Sequence, residues 1–119
     1  MTTKAVGVRC HAEGTGCEAY GYSTHAEGSG SIAKEDHSHA EGSGTQALGN
    51  YSHSEGRFTI ASGVASHSEG QSTQSVGDYS HSEGRSTKAQ GKCSHAEGYD
   101  TIVDTSTTNQ EIKNNVAAG

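Results

Sequence analysis

Polar and small residues alternate along almost the whole chain, and the alternation restarts every 14 residues. Tyr51-Ser52-His53-Ser54-Glu55 is one such run and Thr59-Ile60-Ala61-Ser62-Gly63 is the next, with Gly-containing turns between them. Side chains two apart share a strand face, so each run reads as a short β-strand. Each 14-residue unit therefore predicts two strands. In the first run Ser52 and Ser54 face one way, and Tyr51, His53 and Glu55 the other. In the second run Thr59, Ala61 and Gly63 face one way, and Ile60 and Ser62 the other.

The unit begins as His11-Ala12-Glu13-Gly14 and returns without insertion at His25, His39, His53, His67, His81 and His95. Its consensus is His-Ala/Ser-Glu-Gly-x-x-Thr-x-Ala-x-Gly-x-Tyr-Ser. Repeats of this length signal a stack of identical coils, each lending its neighbours the partners it lacks. The inner columns must be the uniformly small ones: Ser, Ala, Thr and Gly. The opposite columns contain Glu18, Lys34, Lys88 and Asp104, which a dry narrow interior cannot hold. Seven to eight coils at the interstrand spacing make a rod roughly 35–40 Å long. The expected roll spans 1–108. From Asp104 and Thr105 the pattern fails, and 109–119 reads as a cap or the start of a neck, with Ile112 and Val116 four apart. The expectation is one all-β domain, a parallel β-roll with two short strands per coil.

Composition narrows the partners. Only 29% of the 119 residues are hydrophobic and Trp is absent, so a conventional core is out of reach. Stability must come from stacked backbone hydrogen bonds and from partner chains. A net charge of −6 argues against nucleic acid, which needs a basic stripe. No stretch approaches the ~18 apolar residues of a membrane span. Met1-Thr2-Thr3-Lys4 leads straight into the repeat, so an unsecreted product or a piece of a longer protein is expected. Three cysteines make no disulfide framework. Cys10 and Cys17 fall in inner columns, as small residues or as a bridge across the coil.

Ala47-Leu48-Gly49-Asn50-Tyr51-Ser52-His53-Ser54-Glu55-Gly56 resembles the head repeat of YadA-like trimeric autotransporter adhesins, whose unit runs Ala-x-Gly-x-x-Ser-Val-Ala-Ile-Gly. The resemblance covers residues 3–108. It implies a left-handed roll and a side-by-side homotrimer, with the Val and Ile columns facing the trimer centre. Here His and Glu stand in those columns. That version resembles phage and prophage tail-fibre or appendage proteins.

On that placement each level brings three His and three Glu to the threefold axis: His11 and Glu13, His25 and Glu27, His39 and Glu41, His53 and Glu55, His67 and Glu69, His81 and Glu83, His95 and Glu97. Stacked carboxylates repel by roughly 1 kcal/mol per neighbouring pair in water and by more at lower dielectric. Hydrogen bonds between His and Glu of different chains are the expected compensation. A His paired with Glu is then expected to titrate high and its Glu low, giving greatest stability between those limits.

Imidazole with carboxylate also suits Fe, Ni, Zn or Mn. His37-Ser38-His39 would put two histidines on one strand face, six per trimer, which resembles His-x-His iron sites in phage fibre tips. Cys93 and His95 offer three thiols and three imidazoles. The bland alternative is that the column of Ser23, His37, Tyr51, Ala65, Tyr79, Cys93 and Thr107 simply varies.

No catalytic constellation stands apart from the repeat, so no enzyme is expected. The expected function is a rigid shaft or head segment of a trimeric phage-type fibre in the virion. The alternative readings are a trimeric adhesin head on a bacterial surface and a metal-loaded trimer. Host-receptor contact would use outward positions such as Tyr20, Ile32, Lys34, Leu48, Ile60, Val76, Lys88 and Ile102.

Overall fold

The computed structural model describes residues 2–104. They form a parallel β-solenoid of about seven coils, with two strands in each coil. The expected roll residues 105–108 and the expected cap or neck at 109–119 lie outside the described residues. The long strands are β2 (His11–Thr15), β4 (His25–Ser29), β6 (His39–Ser43), β8 (His53–Arg57), β10 (His67–Gln71), β12 (His81–Arg85) and β14 (His95–Tyr99). The short strands are β1 (Lys4–Ala5), β3 (Glu18–Ala19), β5 (Ile32–Ala33), β7 (Gln46–Ala47), β9 (Ile60–Ala61), β11 (Gln74–Ser75), β13 (Lys88–Ala89) and β15 (Ile102–Val103). Odd strands make one sheet and even strands the other, each in chain order. Every partner lies 14 residues away: His53 pairs with His67, Ser54 with Ser68 and Glu55 with Glu69. The rod measures 42 × 22 × 13 Å.

The interior is built from small side chains. Ala26, Ala40, Ser54, Ser68, Ser82 and Ala96 project inward from the long strands and Ala19, Ala33, Ala47, Ala61, Ser75 and Ala89 from the short ones, all fully buried. Thr45, Thr59, Thr73 and Thr87 line one corner, also buried. Buried hydroxyls must be paired, and these are. Thr59 Oγ1 donates to Glu55 O at 3.0 Å and lies 2.7 Å from Ser54 Oγ. At the other corner Ser52 Oγ donates to Gly49 O at 2.6 Å. Cys17 is buried and Cys10 half-buried. Both are free thiols rather than a bridge, and Cys10 Sγ donates to Gly7 O at 2.9 Å.

Glycine of the His-x-Glu-Gly motif is required by close approach. Gly28 has φ +110°, and a Cβ there would lie 2.0 Å from Gly42 O of the next coil. No L side chain fits that space, so the motif's glycine lets the coils close to hydrogen-bonding distance.

Candidate functional site

In each long strand the second residue points inward, so the first and third, His and Glu, share the outer face. In-register pairing then stacks them into two parallel columns. From His25 to His95 the rings lie parallel, 4.6–4.9 Å apart, with planes within 12° of each other. His11, at the end of the stack, meets His25 edge-on at 60°.

His and Glu side chains also meet within one chain. His53 Nε2 lies 3.2 Å from Glu55 Oε2 of its own coil and 3.4 Å from Glu41 Oε1 of the preceding coil. His67 sits likewise between Glu69 at 3.9 Å and Glu55 at 3.7 Å. The coil spacing is short enough for one imidazole to reach two carboxylates. His81 and His95 hydrogen-bond to Glu69 and Glu83 at 3.2 and 3.4 Å. The Nε2 atoms of His25, His39, His53 and His67 are hidden from solvent yet complete no hydrogen bond.

The titration pattern departs from the expected one. Burial lowers the pKa of His39 and of His67, helped by repulsion from the stacked rings on either side and opposed by the local Glu. Pairing with Glu therefore does not raise these two, because desolvation and like-charged neighbours outweigh it. The carboxylates alternate. Glu55 is raised to about 7 because it hydrogen-bonds Glu69, is desolvated, and hydrogen-bonds and repels Glu41. Glu27 is raised through hydrogen bonds with Glu13 and Glu41, and Glu83 through those with Glu97 and Glu69. Burial pushes Glu41 up, but hydrogen bonds from Glu27 and Glu55 and the charge of His39 bring it below the usual value. Hydrogen bonding from Glu55 lowers Glu69. The expected depression thus holds at Glu41 and Glu69 and fails at Glu27, Glu55 and Glu83. Raised and lowered carboxylates thus alternate from Glu27 to Glu83, because neighbouring carboxyl groups hydrogen-bond one another along the column.

His37 and His39 do not share a strand face. β6 begins at His39, and His37 sits in the preceding turn with φ +58°. Its ring stacks on Tyr51 at 5.3 Å and meets Tyr22 at 5.7 Å. Cys93 occupies the equivalent turn before His95, exposed, with φ +60°. Tyr51, with φ +61°, is likewise turned off the His53-Glu55 face. The reason is common: the chain must reverse within two residues at this corner, and a left-handed residue makes that bend.

This corner carries a row of exposed rings that strand alternation missed. Besides the Tyr22-His37-Tyr51 contacts, Arg9 lies over Tyr22 at 5.8 Å and Lys92 over Tyr79 at 6.0 Å. The signal was present as the column His37, Tyr51, Tyr79. Of the outward positions, Tyr20, Lys34, Val76 and Ile102 are exposed, while Ile32, Leu48, Ile60 and Lys88 are half-buried on the short-strand face. The described residues form no pocket, and no helix among them is long and apolar enough to cross a membrane. Compared with known proteins, the chain matches no family model and no curated protein.

Proposed function

We propose that this chain is a segment of a rigid, trimeric fibre shaft of the phage-tail type, with its His/Glu columns turned toward the threefold axis. The observation that carries the reading is the half-buried His/Glu face, whose Nε2 atoms at four successive coils are withdrawn from water without a hydrogen bond. Buried polar atoms are paired in stable proteins. Neighbouring chains packed against this face would cover the half-exposed rings and carboxylates and hold the His-Glu contacts of each chain in a drier environment. The thin rod, only 13 Å in its smallest dimension, gains a second support in the same way. The pKa of Glu55, raised to about 7, lowers the charge that three chains would bring together at that level. The work of such a segment is spacing and stiffness, with receptor contact left to the outward rings and aliphatic side chains. The resemblance to adhesin-head repeats supports the same trimer, and the His-x-Glu version favours the virion over the cell surface.

Native mass spectrometry tests the assembly: three times the 12.2 kDa chain is expected, and a single chain at micromolar concentration overturns it. A His53→Cys variant tests the face. Oxidation should link two chains through it, whereas Ser62→Cys, on the opposite face, should stay unlinked. Linking through Ser62→Cys alone would reverse the orientation.

A further inference from the structure

We infer that the His/Glu face is a linear array of sites for divalent transition-metal ions, each held by two successive histidines and the glutamate of the lower coil, all from one chain. In the first trio, ligand atoms of His11, Glu13 and His25 lie within 4.8 Å of one another, and the same trio repeats through His67, Glu69 and His81. Two imidazoles and a carboxylate are a donor set for Zn²⁺, Co²⁺ or Ni²⁺, and a poor one for the oxygen-seeking Ca²⁺ and Mg²⁺. A second observation points to a ligand at the same atoms. The Nε2 atoms of His25, His39, His53 and His67 are shielded from solvent and without a hydrogen bond, although carboxylate oxygens stand 3.2–3.9 Å away.

The geometry also sets how the array fills. Ligand nitrogens stand about 2.0–2.1 Å from zinc, so two of them on one ion are roughly 3.4 Å apart. The parallel rings, 4.6–4.9 Å between centroids, must tip toward each other to close on an ion. Two rings that tip together turn away from the rings above and below. Successive trios also share a histidine: His25 belongs with His11 and Glu13, and with Glu27 and His39. One ion therefore uses two coils. Seven ladder histidines taken in pairs hold about three ions per chain and leave one ring over. His37 and Cys93 take no part, since their turn directs them elsewhere. The inference does not depend on the trimer, because each set of three ligands comes from one chain.

The experiment is equilibrium dialysis of the folded protein against micromolar Zn²⁺, with ions counted per chain by elemental analysis and Co²⁺ substitution to read coordination by visible absorption. About three ions per chain are expected. Every trio contains His25, His53 or His81, so the triple variant His25→Gln, His53→Gln, His81→Gln should lose all of them while keeping its β circular dichroism. The single variant His53→Gln should retain two, one among His11, His25 and His39 and one among His67, His81 and His95. That readout remains should the triple variant fail to fold. His37→Ala should bind as the parent does. Fewer than one ion per chain at 100 µM free Zn²⁺, or a folded triple variant that binds like the parent, would overturn the inference. Seven ions per three chains would also overturn it, by putting one ion at each level between chains. Native mass spectra of the same samples report the number of chains separately, so loss of metal and loss of the trimer are read independently.

Discussion

Replacing Gly28 by alanine, with Gly30→Ser as its companion, separates steric closure of the coils from simple turn strain. The two glycines are neighbours but one, and both have positive φ, +110° and +67°. At Gly28 the added Cβ would stand 2.0 Å from Gly42 O, at least 1 Å closer than real Cβ atoms come. The coils must part there, stretching the flanking bonds from His25 N–H to Ser38 O at 3.1 Å and from Gly44 N–H to Ser29 O at 2.8 Å. Two or three backbone hydrogen bonds at about 1 kcal/mol each, with about 1–3 kcal/mol of backbone strain, give a cost of roughly 3–5 kcal/mol. At Gly30 nothing lies within 4 Å of the new Cβ. Ser72 and Ser86 hold the equivalent corner at φ +57° and +58°, so Gly30→Ser should cost about 1 kcal/mol or less. Thermal unfolding followed by circular dichroism should show Gly28→Ala melting more than about 10 °C below Gly30→Ser. Melting temperatures within about 3 °C of each other would refute the argument that coil closure, rather than φ alone, demands the motif glycine.

The ladder predicts an unusual pH response. Glu55 has a folded pKa raised to about 7. Its contribution is full below the ordinary carboxylate value and is lost as pH rises through about 7, because the native state holds the extra proton in that window. Glu55→Gln, which mimics the protonated acid, should therefore melt a few degrees above the parent at pH 8 and show no gain at pH 4 in metal-free buffer. An equal shift at both values would remove the raised pKa of Glu55 as the cause. His39 and His67 are lowered, so their contribution is full above the ordinary histidine value and falls away as pH drops through their folded values. Replacing both by glutamine should flatten the loss of stability on the acid side of that range, read by denaturant titration at successive pH values. Ala61→Leu puts a large side chain between two sheets that bury Ala61 completely, and should cost about 3 kcal/mol or more by denaturant melt. Cys93 should react with a thiol reagent in the native protein, and buried Cys17 only on unfolding. Equal rates would place Cys17 outside the core.

The coil, its two strands and the inward columns were legible because one constraint fixes all three. A strict 14-residue period allows only in-register stacking, and stacking permits only small side chains inside. That is why Ala61 and Thr59 could be assigned inward, and His53 and Glu55 outward, from the sequence. The corners were not legible. Alternation carried Tyr51 and His37 onto the strand face, whereas both residues bend the chain with positive φ. The identity of Tyr51 does not announce this, and that of His37 does so only weakly, since His is enriched at positive φ; the short turn between β-strands demands it. The cost of that bend is met by the backbone ladder on either side, such as Tyr51 N–H to Asp36 O at 3.0 Å.

The ladder's electrostatics was hidden for a different reason. A single His and a single Glu attract, and pairwise reasoning gives a raised His and a lowered Glu. Stacking replaces the pair by two columns in which every group has like neighbours above and below. The rings at His39 and His67 then lose more to desolvation and to adjacent imidazoles than they gain from Glu41 and Glu69. Among the carboxylates, hydrogen bonds between neighbours hold Glu55 high and Glu41 and Glu69 low. The chemistry of this face therefore belongs to the period of the stack. An isolated His-Ala-Glu-Gly peptide would titrate in the ordinary way, and the difference between the two comes from burial and from the like neighbours that the parallel register supplies.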